Sequence, residues 1–168
     1  MNGKILITSF TTWEPHQRSN AADDLLQRFI EEKGDIHHYL RHLPVDFTLA
    51  PRRVIETFEA LRPRVLVCCG MAEERILLGV ESQAVLDGRS LKTGIDLVGL
   101  TEDLRITEIS HDAGRFVCNT LYYRSLEHLD AQESEHLCVF VHVPVLTEEN
   151  VHALTQDFVR IIERLAAL

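Results

Sequence analysis

Two short segments constrain the fold of this chain more than any other feature. Arg64 to Cys69 carries the run Val-Leu-Val-Cys-Cys, and Leu137 to Val143 reads Leu-Cys-Val-Phe-Val-His-Val. Apolar residues on consecutive positions mean that both faces of an extended segment need cover from water. Strands of that kind belong in the middle of a mainly parallel sheet with helices packed on either side.

The remaining pattern supplies the other strands and the covering helices. Lys4 to Phe10 is a third short apolar run, Ile36 to Val45 and Leu104 to Ile109 read as further strands, and Gly79 to Asp87 reads as extended. Ala22, Leu25, Leu26, Phe29 and Ile30 form a helical stripe with Ser19 or Asn20 as its cap and Gly34 at its end. Val54, Ile55, Phe58 and Leu61 form another that stops before Pro63. From Gly114 onward, Val117, Leu121, Ser125 and Leu129 recur at four-residue intervals. Thr147 is expected to cap the last helix, with Glu148 and Glu149 in its first turn and a stripe running from Val151 to Leu165. Gly70 is read as the end of its strand, and Gly88, Gly94 and Gly99 mark a loop-rich middle. Strands alternating with helices give an α/β protein, a three-layer α/β/α sandwich. With 168 residues, 45% of them hydrophobic, and neither repeat nor linker, residues 1–168 are expected to form a single domain.

Charge narrows the classes of partner. Seventeen Lys and Arg against 26 Asp and Glu leave a net charge of -9 with no basic run, which argues against nucleic acid and anionic membranes as partners. No apolar stretch approaches the roughly 20 residues that span a bilayer. Met1-Asn2-Gly3-Lys4 leads directly into the first strand and lacks a cleavage-site pattern, so a cytoplasmic protein is expected. Cys68 and Cys69 are adjacent while Cys118 and Cys138 are scattered, which suggests free thiols rather than a disulfide framework or a zinc knuckle. His37 and His38 point to opposite faces of a strand and cannot easily share an ion; no metal or organic cofactor is expected.

In sheets of this type, ligands gather beyond the carboxyl ends of the strands. Cys118 falls in the first turns of the helix that follows Ala113-Gly114, where the dipole and unpaired amides favour a thiolate; a buried, inert cysteine is the alternative. His142 interrupts an otherwise apolar strand and needs a partner there, whether as a base or as a satisfied core histidine. Glu81 lies close to Ile76, Leu77, Leu78 and Val80; buried, it would pair naturally with a histidine, and on an edge strand it would be solvated.

The motifs around these residues say more than each alone. Gly70-x-Ala72-x-x-Arg75 leading to Glu81, then Ser110-x-x-Ala113-Gly114-x-Phe116-Val117-Cys118-Asn119 with Tyr123 following, then His142-Val143-Pro144, resemble in order the three signatures of the pyroglutamyl peptidase I family of cysteine peptidases. The resemblance spans most of the chain. It implies a mixed, mainly parallel sheet in a phosphorylase/hydrolase-like fold, with Cys118 as nucleophile, His142 as base and Glu81 as orienting acid. It also implies removal of N-terminal pyroglutamate from peptides through an acyl-enzyme. Phe10 and Trp13 fall where the family carries two aromatics, able to sandwich a flat lactam ring, and Asn20 resembles a later family asparagine. Met71 occupies a substrate-side position that is usually Gln.

Other departures are Ser9 for a Gly, Ser82 for the Arg after the acid, and Glu73-Glu74 for a Gly-Gly pair. The chain is shorter than a typical member, chiefly between Glu81 and Ser110, where Asp87-Gly88-Arg89 is the candidate for an Asp-x-Arg segment near the site. The alternatives are a related thiol hydrolase or amidase for another lactam or acyl group, and a non-catalytic binding protein keeping the fold. Relatives commonly self-associate, so the resemblance allows a homo-oligomer.

Overall fold

In the computed structural model, residues 4–133 and 135–168 are described. Six strands form the main sheet: β1 (Leu6–Phe10), β2 (His38–Leu43), β3 (Val65–Met71), β4 (Leu78–Glu81), β7 (Thr107–Ser110) and β8 (Leu137–Val143). Their spatial order is β2-β1-β3-β8-β4-β7. The two doubly apolar runs, β3 and β8, are neighbours at the centre and pair in parallel from Val65↔Leu137 to Met71↔Val143. β4 pairs antiparallel with β8 and parallel with β7, so the sheet is mixed but mainly parallel.

Helices α1 (Ala21–Lys33) and α5 (Val151–Ala166) pack on one face, and α2 (Leu49–Leu61) and α4 (Val117–Ala131) on the other. Alternation along β1 shows the division: Ile5 and Ile7 join the core under α1 and α5, while Leu6 and Phe10 join the core under α2 and α4. Asn20 caps α1 by accepting the Ala22 amide at 3.0 Å, and Gly34 closes it at φ +85°, as its sequence position suggested. Buried Asp23 ties α1 to the sheet: Arg41 of β2 grips both carboxylate oxygens at 2.8 Å, and Ser9 of β1 donates at 2.6 Å.

Three expectations change. The last helix begins at Val151 with Asn150, not Thr147, at its cap position, because Thr147 and Asn150 first close a turn: each backbone N–H bonds the other's side-chain oxygen. β3 continues through Gly70 to Met71 instead of stopping at the glycine. The loop-rich middle contains a hairpin, β5 (Gln83–Leu86) with β6 (Arg89–Lys92), and a short α3 (Leu97–Thr101). Asp87 and Gly88 join the hairpin strands at φ +50° and +75°, the two left-handed residues that a tight hairpin turn requires.

Among the described residues, no helix is long and apolar enough to cross a membrane.

Candidate active site

The carboxyl ends of β1, β3 and β8 bring Phe10, Gly70-Met71 and His142-Val143 to one edge of the sheet. β4 approaches that edge from the opposite chain direction, with Gly79 beside His142 and Glu81 beside Phe140. Glu81 is therefore set deeper than the strand ends and is fully buried, while His142 is 5% exposed. The two side chains meet on the diagonal: His142 Nδ1 lies 2.6 Å from Glu81 Oε1. Facing a carboxylate, Nδ1 is assigned the proton, which leaves Nε2 as the basic nitrogen. Tyr122 of α4 donates to the Glu81 carbonyl at 2.9 Å and fixes the backbone behind the acid.

Arg75, in the turn between β3 and β4, joins this pair. Its Nη2 lies 2.7 Å from the same Glu81 Oε1 and donates to the Asp112 carbonyl at 2.8 Å. The arginine was visible in the first motif, but nothing local in the sequence gives its destination.

Cys118 is the second residue of α4, whose start follows from Phe116 leaving the helical conformation (φ -102°, ψ -168°) as the N-cap. The first amides of such a helix lack intrahelical acceptors. Gly70 gives the thiol room: a Cβ there would stand 2.5 Å from Cys118 Sγ and 2.9 Å from the Phe140 ring. The Phe140 ring in turn packs against His142 at 4.7 Å between centroids, so thiol and imidazole share one face of the sheet. Among the described residues Cys118 has no hydrogen bond to the imidazole at rest.

The ionisation of these groups reflects burial more than dipoles. Desolvation, with Cys68 and Glu81 adding to it, pushes the Cys118 thiol up to about 12. Burial therefore opposes the thiolate that the helix N-terminus favours. Burial also lowers His142 below the usual imidazole value; Glu81 opposes that shift and Arg75 adds to it. In the resting state burial thus favours the uncharged form of both groups, the thiol and the neutral imidazole.

Phe10, Trp13 and Met71, the three predicted substrate-side residues, do converge. They line a narrow slot with Asn20, Val45, Phe116 and Val117, and Cys118 lies at its wall. The aromatic partner of Trp13 is Phe116, at 6.0 Å between centroids, and Phe47 packs edge-on against Phe116 at 5.7 Å. Phe116 belongs to the cysteine motif, yet its place in the slot depends on the loop before α4 bringing it against Trp13. Met71 Sδ accepts the Ala21 amide at 3.3 Å. Beyond Trp13 and Met71 the slot opens into a wider cleft formed by Ala72–Arg75, Asp112–Gly114 and His142.

Asp87-Gly88-Arg89 forms the tip of the hairpin and borders a groove with Tyr123, Arg124 and Glu127, apart from the slot. The hairpin nevertheless touches the site's support. Asn119, next to Cys118, accepts the Val85 amide at 3.1 Å and donates to the Val85 carbonyl at 2.7 Å.

A sequence profile of the pyroglutamyl peptidases matches residues 99–159, a stretch that contains Cys118 and His142. The pyrrolidone-carboxylate peptidase of Bacillus licheniformis is 22% identical, over 90% of this chain and 82% of its own length. That of Thermococcus onnurineus is 26% identical, over 87% and 86%. Among solved structures, pyroglutamyl peptidase I from Bacillus amyloliquefaciens superposes with a TM-score of 0.85 at 18% identity, covering 100% of this chain and 97% of that one. The pyrrolidone carboxyl peptidase of Thermococcus litoralis gives 0.81 at 18% identity, covering 98% and 93%.

Proposed function

We propose that this chain, a short and divergent relative of the pyroglutamyl peptidases, is a cysteine omega-peptidase that removes N-terminal pyroglutamate from peptides, with Cys118, His142 and Glu81 as its triad. The observation that carries this reading is the 2.6 Å contact between a buried carboxylate and a buried imidazole on the sheet face that holds the thiol.

The chemistry follows from the resting state. His142 Nε2 takes the proton of Cys118 Sγ as the sulfur attacks the pyroglutamyl carbonyl carbon. The two groups close on each other in the presence of substrate, as catalytic contacts that are long in a free enzyme do. Amides at the start of α4 receive the developing oxyanion. The imidazolium, held by Glu81 through Nδ1–H, then gives its proton to the departing amine as the C–N bond breaks. A water molecule, deprotonated by His142, cleaves the resulting thioester and returns the thiol. The slot lined by Phe10, Trp13 and Met71, which must widen from the size of a single water, receives the lactam ring, and the cleft beyond it receives the rest of the peptide.

A second reading is favoured by one feature of the slot. Met71 offers a thioether already engaged by the Ala21 amide, and the neighbouring walls are largely apolar, which suits a related thiol hydrolase acting on a less polar acyl group. Release of a fluorescent amine from a pyroglutamyl amide, measured for the wild type and for Cys118→Ala, separates the two. Turnover lost in the variant supports the peptidase. Turnover absent from the wild type, with thiol-dependent release from other acyl amides, replaces it with the second reading.

A further inference from the structure

Glu81 carries two donors on one oxygen. Oε1 faces both His142 Nδ1 and Arg75 Nη2, whereas Oε2 has no hydrogen-bond partner among the described residues. The Arg75 side chain is 21% exposed, so a cation reaches from the cleft into a fully buried carboxylate. Its route depends on Gly79. A Cβ at that position would run into Arg75 Nη1 and come within 3.6 Å of Glu81 Oε1. Gly79 is also the cross-strand neighbour of His142, so the guanidinium lies where that neighbour's side chain would otherwise stand.

We propose that Arg75 is a positioning residue for the His142–Glu81 pair, locking the carboxylate rotamer that meets the imidazole and bringing a fixed positive charge into the same buried pocket. This assignment rests on the reading of His142 as the base. An unanchored carboxylate could turn the unpartnered Oε2 toward Nδ1 or swing away; a guanidinium with a second anchor on the Asp112 carbonyl removes that freedom.

The charged groups facing the imidazole are Glu81 on β4, Arg75 in the β3–β4 turn and Asp112 in the loop before α4. Glu81 and Asp112 favour the imidazolium, while burial and Arg75 oppose it. Arg75 adds to burial in keeping the base neutral and able to accept a proton; without it, the imidazole is expected to take up a proton at higher pH.

The test follows the His142 ring by NMR in histidine-labelled protein, with kcat/KM for a pyroglutamyl amide measured alongside as a function of pH. Arg75→Ala removes the guanidinium, and Gly79→Ala displaces it while leaving the arginine in the chain. Both are expected to move the His142 midpoint to higher pH and to lower kcat/KM by about 10–100-fold, the usual effect of losing an outer partner of a reactive group. Millimolar guanidinium ion is expected to recover part of the loss in Arg75→Ala and none in Gly79→Ala, where the methyl fills the space. A folded Gly79→Ala or Arg75→Ala protein with an unmoved His142 midpoint overturns the proposal. If Arg75→Ala does not fold, Gly79→Ala decides. A shifted midpoint in a protein whose wild type releases no amine would sink the peptidase reading and leave the placement of Arg75 standing.

Discussion

Cys118 Sγ occupies the space that a side chain at Gly70 would fill, 2.5 Å from where its Cβ would stand. The glycine is a matter of room rather than backbone conformation, since it lies inside β3 with its neighbours fully paired. Gly70→Ala is therefore expected to push the thiol off the sheet face and press on Phe140. Overpacking of this kind costs about 1–3 kcal/mol in stability. Chemical denaturation and amine release measured on the same sample should show the activity falling by far more than the stability; full activity in the alanine variant would refute the placement of the thiol.

Glu81→Gln keeps the size of the side chain and removes its charge. The imidazolium then loses its counter-ion, and the amide can present either a donor or an acceptor to Nδ1. A loss in kcat on the order of 10³–10⁴-fold is expected, with KM little changed. Steady-state kinetics on a pyroglutamyl amide test this; a loss confined to KM would assign Glu81 to binding instead.

The state of the thiol makes a separate prediction. Only the thiolate reacts readily with iodoacetamide, and burial holds Cys118 at about 12. In the free protein its alkylation rate should keep rising through pH 9 without levelling near neutrality. A plateau between pH 6 and 8 would instead indicate a preformed thiolate–imidazolium pair.

Asp23 gives a prediction about stability alone. Burial pushes its carboxyl up, but hydrogen bonds from Arg41 and Ser9 and the charges of Arg41 and His42 outweigh that, so it lies below its ordinary value. The clamp's contribution is thus complete above the unfolded Asp value of about 4 and fades as pH falls through the lower folded value. Asp23→Ala is expected to cost about 3 kcal/mol at pH 7, because the partly buried Arg41 keeps Gln27 but loses its carboxylate. Thermal melts of the two proteins should converge as the pH is lowered past 4; a constant gap would rule out the carboxylate as the source.

What could be read from the sequence was governed by how local the signal is. Leu137–Val143 was legible to the residue because both of its faces are apolar, and α1 because Asn20 and Gly34 mark its two ends. The residues quoted from the motifs do assemble: Glu81 meets His142, and Phe10, Trp13 and Met71 share a slot with Cys118. The hairpin carried its own signal in Asp87-Gly88, masked by Gln83 to Leu86 lying between a buried strand and an exposed one. Other features had no local signature. The direction of β4, the reach of Arg75 to Glu81 and the burial that opposes a Cys118 thiolate all arise from segments brought together only by folding.

The opposed directions of β4 and β8 make the imidazole–carboxylate distance a gauge of strand alignment. A ladder of backbone bonds cannot slide by a fraction of an ångström: its smallest shift that keeps each side chain on its own face is a whole pleat of two residues. Such a slip would carry Glu81 and His142 apart along the sheet by more than either side chain can span. As far as strand register is concerned, the pair is therefore either made or absent. Partial loosening of this edge of the sheet would thus reduce the fraction of molecules with a working site while leaving the chemistry of each working molecule unchanged.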